Sequence, residues 1–253
     1  MLATERHARI LSLVASRQVA STEELATTLG VSAETIRRDI RVLDERGQLH
    51  RVRGGAASAS VAVGEPRVEE RQLLHHAEKE VIGRLAADLL QDGQTVVLDL
   101  GTTAMEVARA MIPRFRGVVA TNSMLVAGEL AGHPNIDVLV CGGRVRAGDL
   151  ALSSAISVDF FAGLNADVAL VSSGGVDATR GLTDFHLDEI ATRREMIRQA
   201  RRAYVLADSS KFGAVAPHFV ADFGPGLGLV TDRNPGGELA RELHTKGGAL
   251  ICP

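Results

Sequence analysis

Short apolar runs alternate with helical patterns over the last two thirds of the chain, and this alternation limits the fold more than any other feature. A short apolar run bounded by turn residues is typical of a strand that is buried on both faces. Strands of this kind that are joined by helices lie parallel in one sheet. We therefore predict an α/β fold whose mostly parallel sheet carries helices on both faces. The six candidate strands span residues 95–98, 118–120, 136–140, 167–171, 203–207 and 228–230.

Polar residues follow the first five of these strands, and the carboxyl ends of parallel strands meet at one edge of a sheet. Ligands bind at that edge, where backbone amides and helix N-termini attract anions. Hydroxyls, amides beside glycine and cations suit a phosphate, and the candidates are Gly101, Thr102, Thr103, Ser123, Gly142, Arg144, Gly174, Ser210 and Lys211. The candidates for binding sugar hydroxyls are Asp99, Asn122 and Asp208. Each polar end alone is more often ordinary turn chemistry, so the predicted pocket depends on their recurrence.

Residues 31 to 56 carry the pattern of a DNA-reading helix followed by a basic strand. Ser32 is positioned to cap a helix with an apolar stripe, and Gly47 ends that helix. Residues 48–53 then alternate apolar and basic side chains, as a half-buried strand does. In a helix-turn-helix the second helix enters the major groove, and a basic strand lies on the phosphates. The candidate DNA contacts are Ser32, Thr35, Arg37, Arg38, Arg41, Arg51 and Arg53.

Two more helices are predicted before this segment. Ser21 and Glu24 form a capping-box pattern, which predicts a short helix that ends at Gly30. Residues 4–16 have an apolar stripe of helical spacing. Three helices and a basic strand at this spacing predict a winged helix-turn-helix. The alternative is a solvated basic face on an ordinary helical domain.

Charge and cysteine content narrow the classes of function. The chain has a net charge of −3, but residues 1–58 hold nine arginines against seven acidic residues, so positive charge is concentrated where DNA contacts are predicted. Cys141 and Cys252 form no CxxC motif and no cluster with histidines, so we predict no disulfide, no metal site and no cofactor. We find no signal peptide and no apolar run of bilayer length, so we expect a cytoplasmic protein without membrane contact.

A set of motifs matches a known family over nearly the whole chain. In the N-terminal part they are Arg6-His7, Ile10-Leu11, Glu24-Leu25, Val31-Ser32, Thr35-Ile36-Arg37-Arg38-Asp39, Leu43, Gly47 and residues 51–56. Further along they are Arg71, Glu78-Lys79, Ile82, Asp92-Gly93, Asp99, Gly101-Thr102-Thr103, Thr121-Asn122-Ser123, Gly142-Gly143, Gly174, Gly181-Leu182-Thr183, Glu189 and residues 208–212. With these motifs the chain resembles the DeoR family of bacterial transcriptional regulators.

The resemblance implies a sensor domain with the fold shared by sugar-phosphate isomerases and CoA transferases. It also implies an effector site lined by Asp99, Gly101, Thr102, Thr103, Asn122, Gly142, Gly143, Gly174 and Lys211. The family usually has a lysine four residues after the glutamate that corresponds to Glu189, but this chain has Arg193. Arginine keeps the charge on a longer, planar group, so we include Arg193 among the effector contacts and expect a different contact geometry. Residues 169–171 lack the aromatic that the family usually carries there.

These patterns predict a DNA-binding domain at residues 1–58, a linker at 59–70 and a sensor domain at 71–253, with a stretch of small residues at 56–66 marking the junction. We predict a repressor that binds a double-stranded operator as a homodimer or homotetramer and responds to a small phosphorylated sugar. Two alternatives remain open. One is a sugar-phosphate isomerase-like enzyme with a DNA-binding arm, and the other is an architectural DNA-binding protein without a ligand.

Overall fold

The computed structural model describes residues 3–17, 19–52, 54–58 and 68–253. Arg53, a predicted DNA contact, lies outside the described residues. Residues 59–67, which make up most of the predicted linker, also lie outside them.

The N-terminal part contains the three helices and the basic strand that the sequence predicts, and two further short strands complete a small antiparallel sheet. The elements are α1 (Ala3–Arg17), β1 (Val19–Ser21), α2 (Thr22–Leu29), α3 (Ala33–Glu45), β2 (Leu49–Val52) and β3 (Gly55–Ser58), with the strand order β1-β3-β2. The capping box is confirmed, because Ser21 Oγ accepts a hydrogen bond from Glu24 N at 3.1 Å and Glu24 Oε2 accepts one from Ser21 N at 2.8 Å. The apolar faces of the helices enclose a core that includes Ile10, Leu25, Ile36, Leu43 and Leu49.

The strand β3 includes residues 56–58, the start of the small-residue stretch that marks the predicted junction. Residues 55–58 pair with β2 on one side and with β1 on the other. A Cβ on Gly55 would lie 2.2 Å from the carbonyl oxygen of Ala20. The close pairing of β3 with β1 therefore requires glycine at this position, and the small residues that follow it are buried.

The larger part consists of helices and strands arranged around one main sheet. They are α4 (Val68–Leu73), α5 (His76–Asp88), β4 (Thr95–Leu98), α6 (Thr102–Met111), β5 (Gly117–Thr121), α7 (Met124–Leu130), β6 (Ile136–Val140), β7 (Arg144–Val145), β8 (Leu152–Ser153), α8 (Ala155–Ala162), β9 (Ala166–Ser172), β10 (Gly175–Asp177), β11 (Gly181–Asp184), α9 (Leu187–Gln199), β12 (Ala200–Leu206), β13 (His218–Ala221), β14 (Leu227–Val230), α10 (Gly237–Thr245) and β15 (Leu250–Ile251). All six predicted strands are present.

The main sheet has seven strands in the order β15-β14-β12-β9-β4-β5-β6, and every pair is parallel. Its two faces are covered by two separate apolar clusters, as expected for strands that are apolar throughout. From β4 the chain runs outward through β5 and β6, and then returns to place β9 on the other side of β4. The strand order therefore reverses between β4 and β9, and ligands of open α/β sheets bind at the carboxyl ends of such a pair.

The helical segment before β4 is divided into two helices. Helix α4 begins at Val68, inside the predicted linker, and α5 follows it after a sharp bend. His75 forms the bend with φ 54° and ψ 39°, a left-handed conformation that few residues other than glycine adopt. Apolar periodicity does not indicate this bend, because periodicity reports the buried face of a helix and not its connection to the next one.

Candidate functional site

The exposed face of α3 carries most of the predicted DNA contacts. Ser32 Oγ caps the helix by accepting a hydrogen bond from Thr35 N at 3.2 Å, and the two side-chain hydroxyls lie 2.9 Å apart. This local bonding fixes the first turn of the helix, the part that meets base edges in a helix-turn-helix. Three arginines on α3 are exposed, Arg37, Arg38 and Arg41.

The surroundings of these arginines differ. Arg37 Nη1 lies 3.1 Å from Glu34 Oε2, so its charge is partly compensated within the helix. On β2, Arg51 has an exposed side chain, and its backbone amide donates to Asp44 Oδ1 at 2.9 Å. Six of the seven predicted DNA contacts thus lie on two adjacent elements, α3 and β2. The seventh, Arg53, lies outside the described residues.

A buried carboxylate fixes α3 against α1. Asp39 accepts hydrogen bonds from Arg6 Nε at 2.5 Å, from Arg6 Nη2 at 3.0 Å and from His7 Nε2 at 2.9 Å. Burial alone would raise the pKa of Asp39, but the hydrogen bonds from Arg6 and His7 outweigh it and hold the pKa below its ordinary value. The orientation of the DNA-reading helix therefore depends on an ion pair with the first helix of the chain.

A cavity lies at the carboxyl ends of β4, β9 and β12, where the strand order reverses. Eight of the fourteen residues predicted to bind the effector border it, namely Gly101, Thr102, Thr103, Gly174, Arg193, Asp208, Ser210 and Lys211. Gly101 precedes α6 with φ 109° and ψ 167°, a conformation that is available almost only to glycine, and it directs the first amides of α6 toward the cavity edge. The cavity thus combines a helix N-terminus with side chains from three strand ends.

The other six predicted residues do not border this cavity. Ser123 is buried and caps α7 by accepting a hydrogen bond from Val126 N at 3.2 Å, which is the ordinary turn chemistry of a strand end. Arg144 is 81% exposed and lies 4.0 Å from Asp188. The loop after β6 is therefore at the surface, together with Gly142 and Gly143.

Asp99 and Asn122 are buried beneath this edge of the sheet. Asp99 Oδ2 accepts hydrogen bonds from Ser172 N at 3.0 Å and from Arg193 Nε at 2.7 Å. The second oxygen of Asp99 and the side-chain oxygen of Asn122 are buried without a hydrogen-bond partner among the residues that the structure describes. A buried acceptor without a donor is costly, so both atoms are suited to accept hydrogen bonds from a bound hydroxyl or water.

Arg193 lies at the centre of three carboxylates. Its Nε lies 2.7 Å from Asp99, its Nη1 lies 2.7 Å from Asp184 and its Nη2 lies 3.0 Å from Glu189. Burial alone would lower the pKa of Arg193, but the three carboxylates outweigh it and hold the pKa well above its ordinary value. The departure from the usual lysine therefore has a structural correlate, because a guanidinium has three separate nitrogens and each of them faces one carboxylate, whereas an ammonium has a single nitrogen.

The ion pairs continue from Glu189 toward α4. Arg146 binds both Glu189 and Asp149, and Asp149 lies 4.0 Å from Arg71. The pKa of Arg146 is raised, because Asp149 and Glu189 outweigh the effect of its burial. Of the residues in this ion-pair network, only Asp99 and Arg193 were among the predicted site residues, since a network that joins distant segments leaves no pattern in the sequence.

Lys79 is a further cavity residue that is absent from the sequence-based set. It begins the buried face of α5, is only 5% exposed and borders the cavity near Lys211. Burial lowers the pKa of Lys79, and the neighbouring charges of Lys211 and Arg71 lower it further, although Asp208 opposes them. The chain has only three lysines, Lys79, Lys211 and Lys246. Two of these three lysines border the cavity, although most basic residues of the chain are arginines. This unusual use of lysine is the sequence signal that could have identified Lys79.

The described residues contain no group of three or more histidine, cysteine, aspartate or glutamate side chains that could hold a metal ion. Across the same ranges, no helix combines the length and the apolar character that a membrane-spanning segment needs.

Comparison with protein families matches both parts of the chain. The family described as "DeoR-like helix-turn-helix domain" matches residues 6–62, and the family described as "DeoR C terminal sensor domain" matches residues 74–233. Both matches agree with the resemblance inferred from the motifs, and the second alone covers more than half of the chain.

Curated relatives extend over most of the chain. The HTH-type transcriptional repressor CsqR of Escherichia coli K12 is 33% identical over 98% of this chain and 95% of its own length. The glycerol-3-phosphate regulon repressor of the same organism is 33% identical over 84% of each chain. Among solved structures, ribose 5-phosphate isomerase A from Methanocaldococcus jannaschii covers 55% of each chain with 18% identity and a TM-score of 0.40.

Proposed function

Since the chain belongs to the DeoR family of transcriptional regulators, we propose that it represses genes of carbohydrate metabolism and that a phosphorylated sugar in the sensor cavity controls its affinity for DNA. The relatives are named repressors, one of them of a glycerol-3-phosphate regulon. Binding of the sugar changes DNA affinity only if the ligand favours one arrangement of the DNA-binding domains over another.

The single observation that carries this proposal is the cavity at the reversal of strand order. The N-terminus of α6 and the ammonium of Lys211 border the same space, and both favour an anion. Lys211 has no carboxylate within 4.0 Å among the described residues, so its charge is available to a phosphate.

On DNA, α3 reads the major groove and the β2 strand lies on the phosphate backbone. The candidate contacts are Ser32, Thr35, Arg37, Arg38, Arg41, Arg51 and Arg53. Binding as a homodimer or homotetramer requires an operator with two related half-sites. An operator in which one half-site is scrambled therefore binds more weakly than the intact operator by a factor that a gel shift can measure.

We propose a sensor without enzyme activity, because arginines contact the carboxylates of the cavity. An isomerase needs a carboxylate or an amine that can take a proton from the sugar. Burial raises the pKa of Glu189 to about 7, and the neighbouring Arg193 and Arg146 oppose this effect. The oxygens of Glu189 lie against these two arginines, and Asp184 lies against Arg193, so guanidinium groups already contact the oxygens that would take a proton from a sugar. Incubation with aldose and ketose phosphates therefore gives no interconversion, and measurable turnover that Lys211→Met abolishes would establish the enzyme alternative instead.

The experiment that tests the proposal has two steps. A panel of sugar phosphates and the unphosphorylated sugars is screened by thermal shift, and the best compound is then added to a gel shift with operator DNA. We expect a phosphorylated sugar to stabilise the protein and change its DNA affinity. Lys211→Met removes the response and leaves operator binding, whereas Lys246→Met, at a surface lysine paired with Asp222 and Glu242, leaves both unchanged. A response that persists at unchanged concentration in Lys211→Met contradicts the proposed site, and the absence of any stabilising phosphate contradicts the sensor function.

A further inference from the structure

Lys79 is a buried cation without a carboxylate in direct contact. It is only 5% exposed, and no carboxylate lies within 4.0 Å of its ammonium among the described residues. A buried lysine is costly unless it is paired, and it usually either loses its proton or binds an anion. At longer range the buried Asp208 favours the charged form of Lys79, and the positive charges of Lys211 and Arg71 disfavour it.

Two of the three hydrogens of the Lys79 ammonium have identified acceptors. The ammonium donates to the carbonyl oxygen of Arg71 and, at 2.6 Å, to the carbonyl oxygen of Leu74. These carbonyls are at the end of α4 and at the bend before α5, where His75 adopts its left-handed conformation. An ammonium has three hydrogens, and the third has no acceptor among the residues that the structure describes.

Lys79 borders the cavity, so an anion bound there can accept the third hydrogen of its ammonium. Lys79 and Lys211 border the same cavity as Gly101 and Thr102, which begin α6, a helix of ten residues. Helices α5 and α6 pack along each other, so Lys79 is held beside this helix N-terminus. Two ammonium groups and a helix N-terminus around one cavity match the charge and the acceptor number of a phosphate monoester.

Resting on the sugar-phosphate function proposed above, we propose that Lys79 is a second lysine ligand of the effector phosphate and that it links the bound phosphate to residues 68–74. The same ammonium then holds the phosphate, the end of α4 and the bend at His75 together. Residues 68–74 directly follow the segment that connects them to the DNA-binding domain. A phosphate bound at Lys79 therefore restrains the residues at which the sensor domain meets that segment. Burial lowers the pKa of Lys79, and the negative charge of a bound phosphate raises it.

The small number of lysines allows a direct test on the unmodified protein. Protein labelled with carbon-13 at lysine Cε gives three side-chain resonances, one each from Lys79, Lys211 and Lys246. Lys246→Arg and Lys211→Arg each remove one resonance, and the remaining resonance belongs to Lys79. The labelled protein is titrated with inorganic phosphate, at constant ionic strength maintained with chloride, and then with the sugar phosphate that gives the largest thermal shift.

We expect the resonances of Lys79 and Lys211 to shift together with one dissociation constant, and that of Lys246 to stay in place. The pH titration of the Lys79 resonance should move to higher pH when phosphate is bound. If the sugar phosphate shifts only Lys211, the role of Lys79 is wrong and the proposed function stands. If neither cavity lysine responds to inorganic phosphate or to any sugar phosphate, the proposed function itself fails.

Variants test the link to residues 68–74. Lys79→Met should weaken phosphate binding about tenfold or more, as the loss of a charge-assisted hydrogen bond does, and Lys246→Met should not. In the wild type, phosphate should slow amide hydrogen exchange in the segment 71–79, since it adds a third bond to the ammonium that holds these carbonyls. Equal slowing in Lys79→Met would overturn the link, because the carbonyls would then be held by another group.

Discussion

Arg193 on α9 donates its Nε hydrogen to Asp99 Oδ2 at 2.7 Å, across a sequence separation of 94 residues. This bond joins the second half of the sensor domain to the end of β4, and Asp184 and Glu189 occupy the other nitrogens of the guanidinium. A phosphate would have to displace a carboxylate to bind Arg193 directly. We infer that Arg193 positions the acidic residues around the cavity, while the lysines carry the charge that attracts a phosphate.

Replacement of Arg193 should strongly destabilise the sensor domain. Arg193→Met leaves the buried Asp99 and Asp184 without their cation and Glu189 with Arg146 alone, so we expect the free energy of unfolding to fall by about 3–5 kcal/mol. Arg193→Lys should restore part of this loss, because an ammonium keeps the charge, but its single nitrogen replaces the three guanidinium nitrogens that each face one carboxylate. Denaturant unfolding measures both changes. The matched control is Arg201→Met, whose side chain is 84% exposed, and a loss there as large as in Arg193→Met would contradict the anchoring role.

Arg38 offers the clearest test of the DNA-reading helix. It is exposed on α3, and Arg38→Ala should weaken operator binding by about 1–3 kcal/mol if it contacts a base. If it contacts only phosphate, the salt dependence of binding should fall by about one unit of slope. Fluorescence anisotropy over a range of salt concentrations separates these outcomes. Arg198→Ala, at an exposed arginine of α9, is the control, and equal affinities of the two variants would argue against the assignment of α3.

The ion pair of Asp39 with Arg6 and its contact with His7, both on α1, predict that the stability of the DNA-binding domain depends on pH. The pKa of Asp39 is lower in the folded protein than its ordinary value of 3.8, so its stabilising effect is present above that value and is lost as the pH falls through the folded pKa. Asp39→Asn should lower the free energy of unfolding by about 1–3 kcal/mol at neutral pH, because it removes a charged acceptor from Arg6 and His7.

The difference between wild type and Asp39→Asn should shrink below pH 3.8, and acid titration of the unfolding midpoint measures it. Glu5→Gln, at an exposed residue of the same helix α1, is the matched control. A difference that stays constant down to the lowest accessible pH would mean that the charge of Asp39 does not stabilise the domain.

Gly101 tests the importance of the backbone at the start of α6. Its φ of 109° is strained for any other residue, and a Cβ would lie 3.1 Å from Ser172 Oγ. Gly101→Ala should therefore cost about 1–3 kcal/mol and displace the amides that face the cavity, so the thermal shift produced by the best sugar phosphate should disappear. Gly128→Ala has open space around the new methyl group and serves as the control. A normal response in Gly101→Ala would place the phosphate elsewhere.

The local features of the fold could be predicted from sequence because they depend on neighbouring residues. The Ser21 and Glu24 capping box, the Ser32 cap and the apolar runs of the main sheet each follow from a few adjacent side chains. The same locality limits predictions about the site. Ser123 follows a strand as expected, but its hydroxyl bonds the next helical turn, and the Asp208 carboxylate likewise accepts from Ser210 N at 3.0 Å.

Features that depend on distant segments could not be predicted. The reversal of strand order between β4 and β9 decides which polar strand ends share a cavity, and no sequence pattern records that order. The spacing of Glu189 and Arg193 suggests one ion pair on a helix, but Asp99 and Asp184 join it only through the fold. Lys79 appears as an ordinary helix residue until its burial beside the cavity is known.

The pairing of β4 with β9 also affects the order in which the protein folds. Val96, Val97 and Leu98 pair with residues 168–170, so the centre of the sheet cannot close until most of the sensor domain has left the ribosome. The winged helix-turn-helix makes its contacts within residues 3–58 and can fold much earlier. We expect refolding experiments with pulsed hydrogen exchange to protect the amides of α3 before those of β4, so that a DNA-binding surface forms before the chain is able to sense a metabolite.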